Sequence, residues 1–314
     1  MDLFESRNIK PMLIAENVEP FNSQDHLFEL KLDGCRCIAY LDKAEVDLRN
    51  KRNAKLLPKF PELSNINKQI NKRCILDGEL IVMVDGKPNF FELQRRTLMS
   101  KKFKIELAYR QHPACFVAYD ILYLDDKQTT DLPLMERKKL LAKVVKENEQ
   151  IAVSRYIEYT GIDLYKLTEQ QQLEGIVAKL KESKYYFSKR THDWVKIKWL
   201  KDDDFVVCGY IENENNMTSI VLGQYDGDKL VYKGHVTLGV KKSDLIKKGK
   251  VIASSPFKTI PQGNEEALWL EPSLVCTVQW MPRENDGMNQ AVFKGFRDDK
   301  VAKECIVKEK DSIN

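Results

Sequence analysis

Charged and apolar residues alternate through Phe28-Glu29-Leu30-Lys31-Leu32-Asp33. In a strand, successive side chains point to opposite faces. The pattern therefore predicts Phe28, Leu30 and Leu32 in the core, with Glu29, Lys31 and Asp33 sharing the other face. The run breaks at Asp33-Gly34 and resumes to residue 40, a turn signal between strands. Residues 75–84, 116–124, 176–180 and 194–199 read as further strands. Leu134, Lys138, Leu141 and Val145 fall near helical spacing and predict a helix over 134–147. The first 27 residues, with Pro11 and Pro20, read as an irregular lead-in around a short Met12-Leu13-Ile14 segment.

The pattern changes at Lys201-Asp202-Asp203-Asp204. Short β-like runs follow at 205–211, 219–225, 229–237 and 274–280, punctuated by glycines and by Asp226-Gly227-Asp228. Strands at this spacing predict a small barrel or sandwich. The expected fold class is α+β, with one domain over residues 1–200 and a β-rich domain over 201–314.

Composition narrows the setting. A chain of 314 residues suffices for one large domain and a smaller one. No apolar run is long enough to span a membrane, and the N-terminus has no leader pattern. Seven cysteines, an odd number without a C-x-x-C pair, point to free thiols in a reducing cytosol. Four histidines scattered at 26, 112, 192 and 235 argue against a zinc site. Net charge is +4; residues 201–314 hold 16 Lys and Arg against 18 Asp and Glu, so the excess lies in the first 200 residues. That excess permits a polyanionic partner and does not demand one.

Four blocks carry candidate chemistry. Lys31 precedes Asp33-Gly34 and could serve as a nucleophile. Asp77 and Glu79 share one face of an otherwise apolar strand, which is costly unless something pairs with them. Glu174 heads the apolar strand Ile176-Val177-Ala178-Lys179, within reach of a metal or a sugar; alternation puts Lys179 on the opposite face and outside the site. Lys196 and Lys198 share a face, and two like charges there suggest an anion between them. Each block has a plainer reading. Lys31 could end a half-solvated edge strand, and the acids could be turn or surface residues. Glu174 could mark a helix-to-strand turn, and the lysine pair an ordinary basic surface strand. Together, in one domain, they supply complementary parts. A lysine must lose a proton before attacking phosphorus, and neighbouring cations with a bound metal favour that loss.

In this order the blocks resemble an ATP-dependent DNA ligase of the bacterial type. The chain is similar to the ligase domain of bacterial end-joining ligases and to small prophage ligases. The match takes in Pro11-Met12-Leu13, Glu29 to Arg36, Phe60-Pro61-Glu62-Leu63, Leu76-Asp77-Gly78-Glu79 and Tyr119-Asp120-Ile121-Leu122. It continues through Asp131-Leu132-Pro133-Leu134 with Arg137, Glu174-Gly175, Trp194 to Lys198, and Phe293 to Lys300. The resemblance implies a nucleotidyltransferase domain followed by an OB-fold barrel. It implies that Lys31 takes AMP from ATP, that Glu29 meets the adenine amino group, that Tyr119 stacks on the base and that Glu79 contacts the ribose. Arg36 is implied to contact phosphate or the DNA end. Asp33 and Glu174 are implied to hold Mg²⁺, with Mn²⁺ as an alternative, and Lys196 and Lys198 to bind the α-phosphate. Arg297, Asp299 and Lys300 match a C-terminal motif that orients pyrophosphate in the first step, before the barrel swings away to bind the minor groove.

Two departures stand out. Where the family has Ser-Arg-Asn-Gly, this chain reads Asn50-Lys51-Arg52-Asn53. Either Lys51 or Arg52 is then expected on the 5′-phosphate, and a lysine lacks the bidentate fork. Upstream of Phe293, Asn289-Gln290-Ala291 replaces Arg-x-Pro, which shifts weight onto Arg297 and Lys300. A basic loop over Tyr185 to Arg190, with Lys189 and Arg190, is implied to touch the nick, and Ser188 takes the place of a glycine there. The expected protein is a minimal two-domain bacterial or prophage enzyme, monomeric and cytosolic. Nicked duplex DNA is its substrate, and an end-bridging protein is its candidate partner. The rivals are an RNA ligase, an mRNA-capping guanylyltransferase and a non-catalytic nucleic-acid-binding relative.

Overall fold

Glu29 is only 2% exposed, whereas Leu30 is 39% exposed and Leu32 is half-buried. Phe28 is buried as expected, but Leu30 and Glu29 exchange the expected burial, and the fold explains why. A computed structural model describes residues 2–15, 17–171, 173–212, 217–281 and 288–307. The chain forms two compact units, Met1–Trp199 and Leu200–Asn314.

In the first unit, Ser23–Leu30 is an inner strand, not an edge. It lies in an antiparallel sheet of order Tyr156–Tyr159, Ser23–Leu30, Gly175–Leu180, Trp194–Lys198. One face packs Phe28, Ile176, Ala178, Val195 and Ile197 against Leu164 and Tyr165 of the helix Gly161–Gln170. The other face carries Leu27 and Trp194 into a core shared with Ile38, Tyr40 and Ile75 of a second sheet. Glu29 lies on that second, covered face, so alternation assigned its side correctly but not its burial.

The second sheet runs Val46–Asn50, Cys35–Leu41, Cys74–Val84, Ala114–Leu124, Lys127–Gln128. The two strands flanking Asp33-Gly34 therefore belong to different sheets, and the turn carries the chain from one to the other. Gly34 is needed there, because an added Cβ would lie 2.4 Å from the Leu80 carbonyl oxygen. The outer face of this sheet packs Cys37, Ala39, Leu76, Leu80, Phe116 and Ala118 against Phe60, Leu63 and Ile66 near the 3₁₀ helix Pro61–Gln69. Leu141 of the helix Leu134–Val144 joins that core, which gives the helix its apolar stripe.

In the second unit, the segment Lys201–Asp204 comes first. It opens the strand Lys201–Glu212, paired with both Thr218–Asp226 and Val275–Met281. Lys229–Val236 and Asn289–Phe296 extend the sheet on either side. A parallel bridge between Leu238 and Val292 curls the two flanks together. Phe205, Val207, Ile220, Leu222, Cys276, Val278 and Phe293 fill the interior, with Leu245 from the helix Lys242–Lys248. These strands form the small barrel that the spacing of the short runs predicts. The seven cysteines form no disulfide, and no described helix is long and apolar enough to cross a membrane.

Candidate active site

The register of the four-stranded sheet lines up the chemistry. Glu29 lies opposite Val177, and Val177 opposite Lys196. Two residues along each strand come Lys31, Lys179 and Lys198 or Trp194, on the same face. Lys31 has just left its strand; its backbone N–H donates to the Gly175 carbonyl at 2.9 Å. The second sheet supplies the facing wall, with Arg36 directly across from Glu79 and Tyr119 beyond. Together they form a cleft. Glu29, Lys31, Arg36, Glu79, Tyr119, Lys179 and Trp194 line it.

Lys31 Nζ is 3.1 Å from both carboxylate oxygens of Glu174. Lys198 Nζ reaches the same carboxylate at 3.0 Å. A protein carboxylate thus provides an anion at Lys198. Asp33 is half-buried in the loop after Lys31, and Lys196 half-buried in its strand.

Glu29 accepts from three donors: Lys138 on one oxygen, and Lys179 at 2.9 Å and Ser154 Oγ at 3.1 Å on the other. Burial pushes its carboxyl up, but the two ammonium groups outweigh burial and hold it below the usual value. Burial drives Lys179 the other way, down to about 8, against the pull of Glu29. Its ammonium sits 4.3 Å from the Tyr119 ring centre and 4.2 Å from that of Trp194. Glu79 is pushed up to about 8 by burial, despite Lys31 and Arg36 nearby.

Arg36 grips the fully buried Asp77 with two nitrogens, Nε at 2.6 Å. Tyr185 donates its hydroxyl to the same carboxylate at 2.7 Å. The Arg36 guanidinium also lies 4.9 Å from the Tyr119 ring centre. Asp77 is thus no surface acid; it holds Arg36 beside the cleft.

Lys51, Arg52, Lys189 and Arg190 do not line this cleft. Lys51 and Arg52 occupy an exposed turn. Lys189 lies over Tyr186, and Arg190 donates to the Ile14 carbonyl. Ser188 has a φ of +62°, the left-handed conformation that a glycine adopts most readily. Arg297, Asp299 and Lys300 lie in the second unit. There Arg297 forks onto Asp299 at 2.7 and 2.8 Å, and Lys300 reaches Asp204 at 2.8 Å.

Excluding Lys179 was a mistake of periodicity. Gly175 has a φ of +137°, so alternation does not carry from Glu174 through it. Glu174 and Lys179 consequently address the same cleft. Lys138 and Ser154 were also missed. Lys138 had a signal in its place on the buried stripe of its helix; Ser154 had none, because its contact spans 125 positions.

A cleft between two sheets, lined by a lysine and paired carboxylates, with an OB-fold domain following, defines the covalent nucleotidyltransferase class. Residues 9–198 match the family described as ATP dependent DNA ligase domain, and residues 213–300 the ATP dependent DNA ligase C terminal region. The chain belongs to the ATP-dependent DNA ligase family, a family of enzymes. It is 31% identical over 206 residues to the SPbeta prophage-derived DNA ligase-like protein LigB of Bacillus subtilis, covering 66% of this chain and 73% of that one. It is 28% identical over 309 residues to the multifunctional non-homologous end joining protein LigD of Pseudomonas aeruginosa, covering 93% of this chain and only 36% of that protein. A mycobacterial DNA ligase D solved with ATP and MES shares its fold, with a TM-score of 0.76 and 24% identity over 96% of this chain and 99% of that one.

Proposed function

We propose that the chain seals 5′-phosphate/3′-hydroxyl nicks in duplex DNA, using ATP and a lysyl-AMP on Lys31. The observation that carries this reading is Lys31 at the mouth of the cleft, 3.1 Å from Glu174 and facing Glu79. Residues 1–200 act as the adenylyltransferase domain and 201–314 as the OB-fold domain. In the first step Lys31 Nζ, once deprotonated, attacks the α-phosphorus of ATP. The P–N bond forms, the bond to pyrophosphate breaks, and Glu174 is close enough to take the proton. AMP then passes to the 5′-phosphate of the nick, and the 3′-hydroxyl displaces it.

The base pocket supports adenine. Glu29, held ionised, can only accept hydrogen bonds, which suits an exocyclic amino group. With three donors already bound, one acceptor position is left for it. Lys179 beside it is a donor for a ring nitrogen, and Tyr119 offers a ring face. Glu79, protonated near neutral pH, can donate to a ribose oxygen or accept from its hydroxyl. Lys196 and Lys198 serve the α-phosphate. Arg36, Lys51 or Arg52, Lys189 and Arg190 serve DNA, and Arg297, Asp299 and Lys300 the departing pyrophosphate.

Among the described residues no group of three or more His, Cys, Asp or Glu could hold a metal alone. Mg²⁺ takes one or two carboxylates and completes its shell with phosphate and water. Asp33 and Glu174 are the carboxylates, and Mn²⁺ suits the same oxygens. The ion would neutralise phosphate charge. We place the protein in the bacterial cytosol as a monomer, with an end-bridging protein as the class of partner.

The test is nick sealing by the purified chain with Mg²⁺ and ATP, wild type beside Lys31→Ala. Sealing by wild type alone is expected. Sealing by both would overturn the assignment of the nucleophile. Activity confined to RNA strands, or to GTP, would turn the reading toward an RNA ligase or a capping enzyme.

A further inference from the structure

Ten residues of the first unit, 98–107, leave three large apolar side chains in solvent. Leu98 is 65% exposed, Phe103 75% and Leu107 47%. The helix Lys102–Gln111 buries Ile105 and Ala108 and turns Phe103 and Leu107, one turn apart, outward. An outward-facing Phe and Leu on one stripe call for an occupant.

The charges around them say which kind. Lys101, Lys102 and Lys104 are all exposed. The nearby acids are already committed: Glu92 forks with Arg95 at 2.5 and 2.7 Å, and Glu106 pairs with Arg110 at 2.8 Å. An apolar strip beside three lysines suits a polyanion that also shows flat apolar faces. An unpaired nucleic-acid strand has both, phosphates for the lysines and bases for Phe103. In a duplex the base faces are stacked away.

Its position agrees. Leu80 pairs with Cys35, and the strand Cys74–Val84 runs on past it, beyond Glu79 and the Lys31 loop. The helix Phe90–Thr97 starts at that end, where the Asn89 N–H donates to the Val82 carbonyl at 2.8 Å. Lys59 bonds the Met99 carbonyl and ties the segment to the chain that follows the Lys51-Arg52 turn. The segment that carries the strip thus leaves the sheet at the end where the Lys31 loop enters it, by way of a helix whose Leu93 packs in the outer-face core.

We propose that Leu98, Phe103 and Leu107, with Lys101, Lys102 and Lys104, bind an unpaired nucleic-acid strand such as an overhang near the break. The proposal rests on the nick-sealing reading for its context, but its binding is measured separately. The probe is a fluorescent oligothymidylate, titrated by anisotropy at several salt concentrations. Phe103→Ala with Leu107→Ala is expected to weaken binding about five- to tenfold. Lys101→Gln, Lys102→Gln and Lys104→Gln together should flatten the log–log salt slope by about 2. Both sets are solvent-exposed, and both proteins should seal a fully paired nick at the wild-type rate. Oligothymidylate binding unchanged in both would overturn the proposal. So would an equal loss on paired nicks, or a change in sedimentation showing that the strip joins two copies. Strand binding without nick sealing by wild type would sink the ligase reading and leave this one standing.

Discussion

Glu29 and Glu79 are two carboxyls in one cleft with opposite environments. Two ammonium groups hold Glu29 ionised, and burial holds Glu79 protonated up to about pH 8. The difference matters for stability. The folded chain keeps the Glu79 proton above pH 4.5, where an unfolded chain has released it, so stability falls as pH rises from about 4.5 to about 8. Glu79→Gln removes that penalty. Without nucleotide, the variant should match the stability of wild type at pH 4 and exceed it at pH 9 by something on the order of 2–4 kcal/mol. A scan showing equal stabilities at pH 9 would contradict the burial argument. At this scale the sequence was informative about which residue types meet, because Lys31, Lys196 and Lys198 stand in runs of clear alternation and Glu79 in an otherwise apolar strand. It placed Lys138 on a helix stripe without naming its partner, and it was silent on Ser154; their contacts with Glu29 span 109 and 125 positions.

Strands place these side chains, and single backbone positions decide whether the placement holds. At Gly175 the φ of +137° is closed to other residues, and a Cβ would stand 2.2 Å from the Ile197 carbonyl oxygen. Gly175→Ala should cost about 1–3 kcal/mol in strain and displace Glu174 from Lys31, so urea unfolding and AMP transfer should both suffer. The helix Leu134–Val144 has a different anchor. Arg137 forks onto Asp120 at 2.8 and 2.9 Å, with both side chains wholly buried. Arg137→Leu strands a buried carboxylate and should cost about 3–5 kcal/mol. Most strands were legible because alternation survives in them. The join between them was not. Asp33-Gly34 looks like a hairpin turn, yet its two strands enter different sheets, and only the close approach of Gly34 to Leu80 shows why. The helix Lys102–Gln111 has no clear signal in the sequence, since its exposed Phe103 and Leu107 blur the helical period.

The molecule consists of two units whose cores are separate. Residues 1–199 hold the sheet-to-sheet core and its two flanking clusters, and the barrel holds its own. The fragment 1–199 should therefore fold alone and show a cooperative unfolding transition by circular dichroism. It retains Lys31, Glu174 and the base cleft but lacks Arg297 and Lys300. In the full chain Arg297→Ala should slow AMP loading about ten- to hundredfold while sparing the sealing of a nick that already carries AMP. Equal losses in both steps would contradict the role given to that motif. The most direct measurement is the intact mass of the protein after incubation with ATP and Mg²⁺, with peptide mapping. One AMP on Lys31 in wild type, and none in Lys31→Ala, is the expected result. No adduct on wild type, or an adduct that persists in Lys31→Ala, would contradict the covalent mechanism at its root.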